Sequence, residues 1–264
     1  MDQTSPISSI STPVLRAIER ASHRTGVDFD YMLDQARIES GFRADARAAT
    51  SSATGLYQFT AQTWLATLKR HGAAHGYGWA AEAIEPAGRG TYKVSDAGLR
   101  QAILGLRSDP DAAAVMAGEL ASDNHAHLAD TLGRAPEPAD LYLAHFLGAA
   151  GASDFLKAWA ANPEQAAAPL FAKAAAANRS IFFDATGGAR SLDEMRRSFA
   201  KKLDGKGVTL ASTQRAMRSH TVASAAPSYA PLALRSIEPM PKSLSLEFAR
   251  DAYRQLAAMR GAGA

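Results

Sequence analysis

The sequence predicts a mainly α-helical protein, and three observations support this. Apolar residues make up 47% of the 264 residues, with alanine prominent and β-branched residues sparse, which favours helices. Apolar side chains recur at helical spacing between glycine, proline and capping residues. Convincing alternation of apolar and polar residues, the pattern of a half-buried strand, is nearly absent.

Capping residues and glycines bound the helices of the N-terminal half. A hydroxyl or carboxylate at the N-cap accepts hydrogen bonds from free backbone N–H groups, and a glycine adopts the left-handed conformation that ends a helix. The predicted helices start at Thr12-Pro13, at Asp28, before Trp64 and at Ser95, and the first three end at Gly26, Gly41 and Gly72. Residues 73–94 are rich in glycine, alanine and polar side chains and are predicted to form a loop.

The same signals continue through the C-terminal half of the helical region. Asp109-Pro110 opens a long helix that stops at Gly133. Further helices are predicted over residues 141–147 and 153–161, from Asn162-Pro163, and from Ser191 to Gly205. Ser191 and Glu194 have the spacing of a capping box, in which each side chain accepts a hydrogen bond from the other residue's backbone N–H.

The chain divides into a helical domain and a tail. The domain is predicted over residues 12–205, and residues 206–240, rich in Ser, Thr, Ala and Pro, are predicted to be a flexible linker. Residues 241–264 carry an apolar stripe at helical spacing, which predicts an amphipathic C-terminal helix. The stripe consists of Phe248, Ala252, Leu256 and Met259. Such a helix either docks on its own domain or binds a protein partner.

Charge and composition exclude several classes of function. Residues 206–264 carry eight Lys/Arg and three Asp/Glu, a net charge of +5, which leaves −2 of the total +3 for residues 1–205. A nucleic-acid surface interleaves basic residues with aromatic ones, and this tail has only three aromatic residues, so we expect no nucleic-acid partner. No apolar run reaches the roughly 18 residues of a transmembrane helix. The first twelve residues lack the pattern of a secretory signal.

We expect no metal and no other cofactor. The chain has no cysteine, which excludes disulfides and zinc–thiolate sites. A catalytic zinc site usually needs three protein ligands. His71 and His75 are separated by the helix-ending Gly72, and His125 and His127 point to different faces of their helix.

One glutamate stands at the end of a predicted helix. Glu39 is followed by Ser40, Gly41 and Phe42, and after sixteen residues by Gly55, Leu56, Tyr57, Gln58 and Phe59. The negative end of the helix dipole disfavours its ionised form, no cation precedes it by three or four residues, and burial would add to the effect. We therefore expect a raised pKa and a general acid, followed by an aromatic–amide–aromatic segment suited to a sugar.

These segments resemble the catalytic domain of the soluble lytic transglycosylases (SLT type). The family pattern has Glu-Ser, a Phe two places after the Ser, a Ser/Ala-rich stretch and Gly-Leu-Met-Gln. The corresponding residues here are Glu39-Ser40, Phe42, residues 50–54 and Gly55-Leu56-Tyr57-Gln58-Phe59. A third family block, Ala-Tyr-Asn-x-Gly, is matched loosely by Ala144-His145-Phe146-Leu147-Gly148.

The resemblance implies a lysozyme-like helical fold and cleavage of the β-1,4 bond between N-acetylmuramic acid and N-acetylglucosamine in peptidoglycan. On this reading Glu39 acts first as acid and then as base, and the product is a 1,6-anhydro sugar. Ser40 supports the turn that carries the acid, while Gly55 opens the second block. Tyr57, Gln58 and Phe59 would line the sugar groove.

Two points stay open in this comparison. The interval from Glu39 to Gly55 is one residue longer than the commonest family spacing, so the family serine that contacts the N-acetyl group maps to the stretch 49–51. The family tyrosine near the acid is His145 here. Tyr142 lies three residues earlier on the same helix face and is the other candidate donor.

The resemblance also sets expectations about location and alternatives. Peptidoglycan as substrate implies the periplasm or cell envelope of a bacterium, by an export route that the sequence does not indicate. A catalytic domain, a linker and a terminal helix suit localised wall opening for a flagellum, a pilus or a secretion machine. The alternatives are a hydrolysing muramidase and a non-catalytic scaffold that acts through its C-terminal helix.

Overall fold

The structure, a computed structural model, describes residues 10–49 and 51–203. Within them the chain is mainly α-helical, as predicted, with one two-stranded sheet. The helices are α1 (Thr12–Thr25), α2 (Phe29–Ser40), α3 (Ala61–His71), α4 (Gly78–Ala83), α5 (Ala97–Gly105), α6 (Pro110–Leu132), α7 (Pro138–Ala161), α8 (Ala167–Leu170), α9 (Ala172–Ala177), α10 (Arg179–Phe182) and α11 (Leu192–Leu203). The predicted linker and C-terminal helix lie outside the described residues, and so does the end of the predicted domain.

Most predicted helix boundaries are confirmed by capping geometry. Asp28 and Asp109 each accept a backbone N–H hydrogen bond at the start of a helix, and Gly26 adopts the left-handed conformation at the end of α1. An N-cap of this kind stabilises a helix by about 1 kcal/mol. The capping box is formed as predicted, with hydrogen bonds from the Ser191 N–H to Glu194 and from the Glu194 N–H to Ser191.

Two of the boundaries predicted for the N-terminal half move. Asp96, not Ser95, caps α5 through a hydrogen bond from the Leu99 N–H. Gly72 ends α3 but remains in a right-handed helical conformation and begins a short 3-10 helix, Gly72–His75. The chain turns away only at Gly76, whose φ of 86° lies in the left-handed region.

The core is organised around α6. This helix packs against α1, α3 and α7. Many of its buried side chains are alanine, which lets neighbouring helices approach closely, and one position requires glycine. A Cβ on Gly118 would lie 2.5 Å from Oγ1 of Thr25 in α1. Trp64, Leu65 and Leu68 of α3 are fully buried in the same cluster, as the helical spacing of these residues predicted.

The prediction of a loop over residues 73–94 is wrong in part. This segment contains the 3-10 helix, α4 and an antiparallel hairpin of β1 (Glu85–Gly88) and β2 (Thr91–Lys93). The strands are only four and three residues long and almost wholly exposed, so they carry no apolar alternation to detect. The amide of Gln62 in α3 holds the hairpin by bonding both the N–H and the carbonyl oxygen of Tyr92.

The two helices predicted over residues 141–147 and 153–161 are the two arms of α7. The bend falls at Gly148, where φ is 77° and ψ is 160°. This backbone conformation is accessible almost only to glycine. The bend separates an arm that carries Tyr142 and His145 from an arm that carries Trp159.

The helix predicted to start at Asn162-Pro163 begins instead at Ala167 and breaks again at Phe171 and Asn178. The residues that precede Ala167 pair with the first residues of α11. The Asp193 N–H donates to the Pro163 carbonyl oxygen, and the Leu192 N–H donates to Gln165. Backbone groups taken up by these tertiary hydrogen bonds are not free to form a helix, which is why the proline signal fails here. Among the described residues, no helix combines the length and the apolar character needed to cross a membrane.

Candidate active site

Glu39 lies in the last turn of α2. The helix ends at Gly41 and Phe42, whose φ values of 60° and 66° turn the chain back through the left-handed region. The Glu39 side chain is 17% exposed, so it is mostly buried yet still reaches the surface. The structure therefore gives this carboxylate the partial access that a reacting group needs.

Two side chains of α7 meet one oxygen of Glu39. The Tyr142 hydroxyl donates to Oε1 over 3.1 Å, and His145 Nε2 lies 3.2 Å from the same Oε1. Tyr142 and His145 are three residues apart, so they project from one face of the helix. The sequence left the choice between these two residues open, and the structure brings both to the carboxylate. No hydrogen bond from the described residues engages Oε2 of Glu39.

The expectation of a raised pKa for Glu39 is wrong. Burial does raise its pKa, but the hydrogen bond and positive charge of His145, the hydrogen bond of Tyr142 and the charge of Lys202 together outweigh burial. The net result is a pKa below the ordinary value for glutamic acid. These partners come from α7 and α11, more than a hundred residues away, so spacing along α2 could not reveal them.

The Tyr142 phenol is a stable donor in this position. Burial and the neighbouring Glu39 carboxylate both raise its pKa above the ordinary value, so the phenol keeps its proton. Its ring packs against Phe199 of α11, with centroids 5.1 Å apart. Phe146, which stands where the family block has asparagine, is half-buried and packs against Phe199 and Phe182. Phe146 thus belongs to the aromatic core behind the site.

Ser40 ties the end of α2 to the following loop. Its Oγ lies 2.8 Å from the carbonyl oxygen of Leu56 and 3.1 Å from that of Ala36. The side chain is 6% exposed. Ser40 therefore holds the turn beside Glu39, and its hydroxyl is directed to backbone carbonyl oxygens.

The prediction that Tyr57 and Phe59 line a groove is wrong. Tyr57 is completely buried and its hydroxyl donates to the carbonyl oxygen of Met32 in α2 over 3.1 Å. Phe59 is 3% exposed and packs edge-on against Trp64, with centroids 5.1 Å apart. The energetic reason is burial: each ring removes a large apolar area from water when it enters the core.

Gln58 lies between these two core rings and is half-buried. Its φ of 47° is unusual for a residue other than glycine. The side-chain amide donates to the carbonyl oxygens of Gly55 and Ala46, over 2.9 and 3.3 Å. The amide nitrogen thus closes the loop on itself, and the amide oxygen is the part of Gln58 left for a ligand.

Arg107 is a site residue that the sequence did not suggest. It belongs to the 3-10 helix Leu106–Ser108 and is buried. Its guanidinium donates to the carbonyl oxygens of Ser52 and Phe59, over 2.6 and 3.1 Å, and to that of Leu104. Arg107 therefore binds the second half of the loop between α2 and α3 at two points, Ser52 and Phe59. Nothing in its local sequence marks it, because all its partners are backbone atoms of distant segments or of its own turn.

Three described histidines outside this cluster contact acidic or hydroxyl groups, and one of them, His127, lies 3.1 Å from the Ser153 hydroxyl. His71 and His75 both face α6, where they lie 3.0 Å from Asp123 and 2.6 Å from Glu119. The described residues contain no group of three or more His, Cys, Asp or Glu side chains placed to hold a metal ion. At Glu39 the structure brings together one partly buried carboxyl group and two partners for one of its oxygens, Tyr142 and His145. No protein-family model matches the chain.

Proposed function

We propose that this protein is a peptidoglycan lytic transglycosylase that cleaves the β-1,4 bond between N-acetylmuramic acid and N-acetylglucosamine. The observation that carries the proposal is that Glu39 is mostly buried against two side chains of α7 but still reaches solvent. Tyr142 and His145 hold one of its oxygens, and the other is free of hydrogen bonds from the described residues. A carboxyl group held in this way can present one oxygen to a bound sugar.

In the proposed reaction Glu39 moves a proton twice. The protonated carboxyl group gives its proton to the glycosidic oxygen, and the bond from that oxygen to the anomeric carbon breaks. The acetamido oxygen of the same sugar bonds to the anomeric carbon and stabilises it. The Glu39 carboxylate then takes the proton of the sugar's 6-hydroxyl, whose oxygen bonds to the anomeric carbon and releases the acetamido group. The product is a 1,6-anhydro sugar, and no water is consumed.

The surroundings of Glu39 favour this route over hydrolysis with two carboxylates. Most retaining glycosidases place a second carboxyl group about 5–5.5 Å from the first, and inverting ones place it somewhat further away. The groups that lower the pKa of Glu39 are His145, Tyr142 and Lys202, and none of these is a carboxylate. A mechanism in which the substrate supplies both nucleophiles needs no second carboxyl group.

The proposed substrate sets the proposed location, which is the bacterial periplasm or cell envelope. We further propose that residues 241–264 bind a protein partner that localises wall cleavage, as a flagellum, a pilus or a secretion machine would require. The amphipathic stripe that begins at Phe248 supports this second step. Deletion of residues 241–264 should spare cleavage of isolated wall and abolish localisation in cells, and unchanged localisation would contradict it.

Mass spectrometry of digested sacculi tests the activity. The wild-type protein should release anhydro-muropeptides, and Glu39→Gln should reduce the rate by about 10²–10⁴-fold, the usual contribution of a general acid. Muropeptides with reducing ends would instead indicate a hydrolysing muramidase. A folded wild-type protein that releases neither product, with full cellular function retained by Glu39→Gln, would indicate a scaffold.

A further inference from the structure

The two donors at Oε1 of Glu39 differ in one chemical respect. The Tyr142 phenol has a single proton and keeps it, because burial and the adjacent carboxylate both hold the neutral form. An imidazole can carry one proton or two across the neutral pH range. His145 Nε2 lies 3.2 Å from Oε1, close enough for a proton to pass between them. His145 is therefore the partner that can take up and return a proton.

The groups around this contact come from three helices. Tyr31 of α2 and Lys202 of α11 interact electrostatically with Glu39, in addition to Tyr142 and His145 of α7. Lys202 favours the ionised carboxylate, as a protonated His145 does. Tyr31 is neutral, and its pKa is raised by burial and by Glu39. In the unliganded protein the net effect of this setting is to lower the pKa of Glu39, which favours its ionised form.

We propose that Glu39 and His145 form a proton-sharing pair, in which His145 stores the catalytic proton and returns it to Glu39 when a bound glycan covers the two side chains. This inference rests on the proposed function. The two side chains are 17% and 18% exposed, so a bound sugar would exclude most of the remaining water. Loss of that water penalises the ion pair more than the neutral pair of carboxylic acid and imidazole.

The transfer balances within the pair. The bond from Nε2 to hydrogen breaks, its electrons return to the imidazole ring, and a new O–H bond forms at Oε1. Both groups are then neutral. A half-turn of the carboxyl group, about a torsion that is broad in proteins, brings the protonated oxygen to the side that lacks a protein hydrogen bond. Tyr142 can then donate to the other oxygen, so its hydrogen bond survives the change.

The pH dependence of activity separates proton storage from simple hydrogen bonding. In a sharing pair, activity is lost at high pH only when the last proton leaves the pair as a whole. His145→Gln keeps an amide N–H donor but removes the imidazole that can hold the proton. The high-pH loss of activity should then reflect deprotonation of Glu39 alone and should move to lower pH by about one unit or more. Tyr142→Phe removes a neutral hydrogen-bond donor to the carboxylate. In this variant the high-pH loss of activity (the high-pH limb of the profile) should move to higher pH.

The experiment measures initial rates of anhydro-muropeptide release from about pH 4 to about pH 9. It compares wild type, His145→Gln, Tyr142→Phe and the control His125→Asn. His125 is exposed on α6, and its variant should match the wild-type profile. A His145→Gln limb that stays in place, or that moves to higher pH, would overturn the inference. Circular dichroism confirms that each variant is folded.

A second measurement does not depend on activity. Proton NMR follows the His145 ring across the same pH range in wild type and in Glu39→Gln. Proton storage predicts that the midpoint of the His145 titration moves to lower pH in Glu39→Gln, because the carboxylate that holds the second proton is gone. An unchanged midpoint overturns the inference. If wild type releases no product but the midpoint moves, the pair exists and only the proposed function fails.

Discussion

The carbonyl oxygen of Arg107 lies 1.8 Å from the point that a Cβ on Gly55 would occupy. Gly55 has a φ of 86°, so its conformation and its contact both require the absence of a side chain. This close approach joins the loop that follows Glu39 to the 3-10 helix Leu106–Ser108. The same helix supplies the Arg107 guanidinium, which binds the carbonyl oxygens of Ser52 and Phe59 on either side of Gly55.

Gly55→Ala should destabilise the protein by about 3 kcal/mol or more. The left-handed conformation alone costs about 1–2 kcal/mol for alanine, and the displaced backbone adds to it. Gly26→Ala is the matched control, because Gly26 has a φ of 73° with no atom within 4 Å of its Cβ position. Thermal unfolding should show that the control loses only the stability that the left-handed conformation costs for alanine, without the cost of displaced backbone. Equal losses in the two variants would mean that the loop moves freely away from Arg107.

Arg107→Met should lower both stability and wall cleavage. The substitution keeps an apolar stem but removes the donors to Ser52, Phe59 and Leu104, and the buried Phe59 carbonyl oxygen keeps only the Thr54 N–H. We expect a loss of about 3 kcal/mol. This is less than the sum of three hydrogen bonds of about 1.5–3 kcal/mol each, because two of the three are only part-buried and are screened by solvent. Arg100→Met, at an exposed position nearby, should change stability by less than about 0.5 kcal/mol. Similar unfolding temperatures for the two variants would contradict the role of Arg107.

Tyr57→Phe tests whether this ring belongs to the core. The variant loses the hydrogen bond to the Met32 carbonyl oxygen and should be destabilised by about 1 kcal/mol. Because the ring is completely buried, the rate of sacculus digestion should remain that of wild type. A large fall in that rate, with folding intact, would place the Tyr57 hydroxyl in contact with glycan.

The stabilising effect of Glu39 should disappear in acid. Its pKa is lower in the folded protein than its ordinary value, so the contribution is present above the pKa of the unfolded chain. It is lost as pH falls through the folded value. Unfolding temperatures of wild type and Glu39→Gln should therefore differ most near neutral pH and converge in acid, once the pH has fallen through the folded pKa. A difference that grows on acidification would mean that burial dominates and that the folded pKa is raised.

Local pattern was sufficient for the helices and for the choice of Glu39 as a candidate acid. Asp28 and Gly41 delimit α2, and their action needs only a few neighbouring residues. The same holds for Asp109 and Gly133 around α6. The local sequence pattern gave a wrong helix start where backbone groups form hydrogen bonds with distant segments. At Pro163, for example, the carbonyl oxygen accepts from the Asp193 N–H.

The sequence by itself determined the helical class, most helix ends and the presence of a glutamate at a helix C-terminus, because these depend on periodicity and on caps within a few residues. Only the tertiary structure decided the electrostatic state of that glutamate. Tyr142, His145 and Lys202 reach it from α7 and α11, and their combined effect reverses the pKa change expected from α2 alone. The tertiary structure also decided that Tyr57 packs in the core, because burial of a ring depends on which surfaces the completed fold encloses.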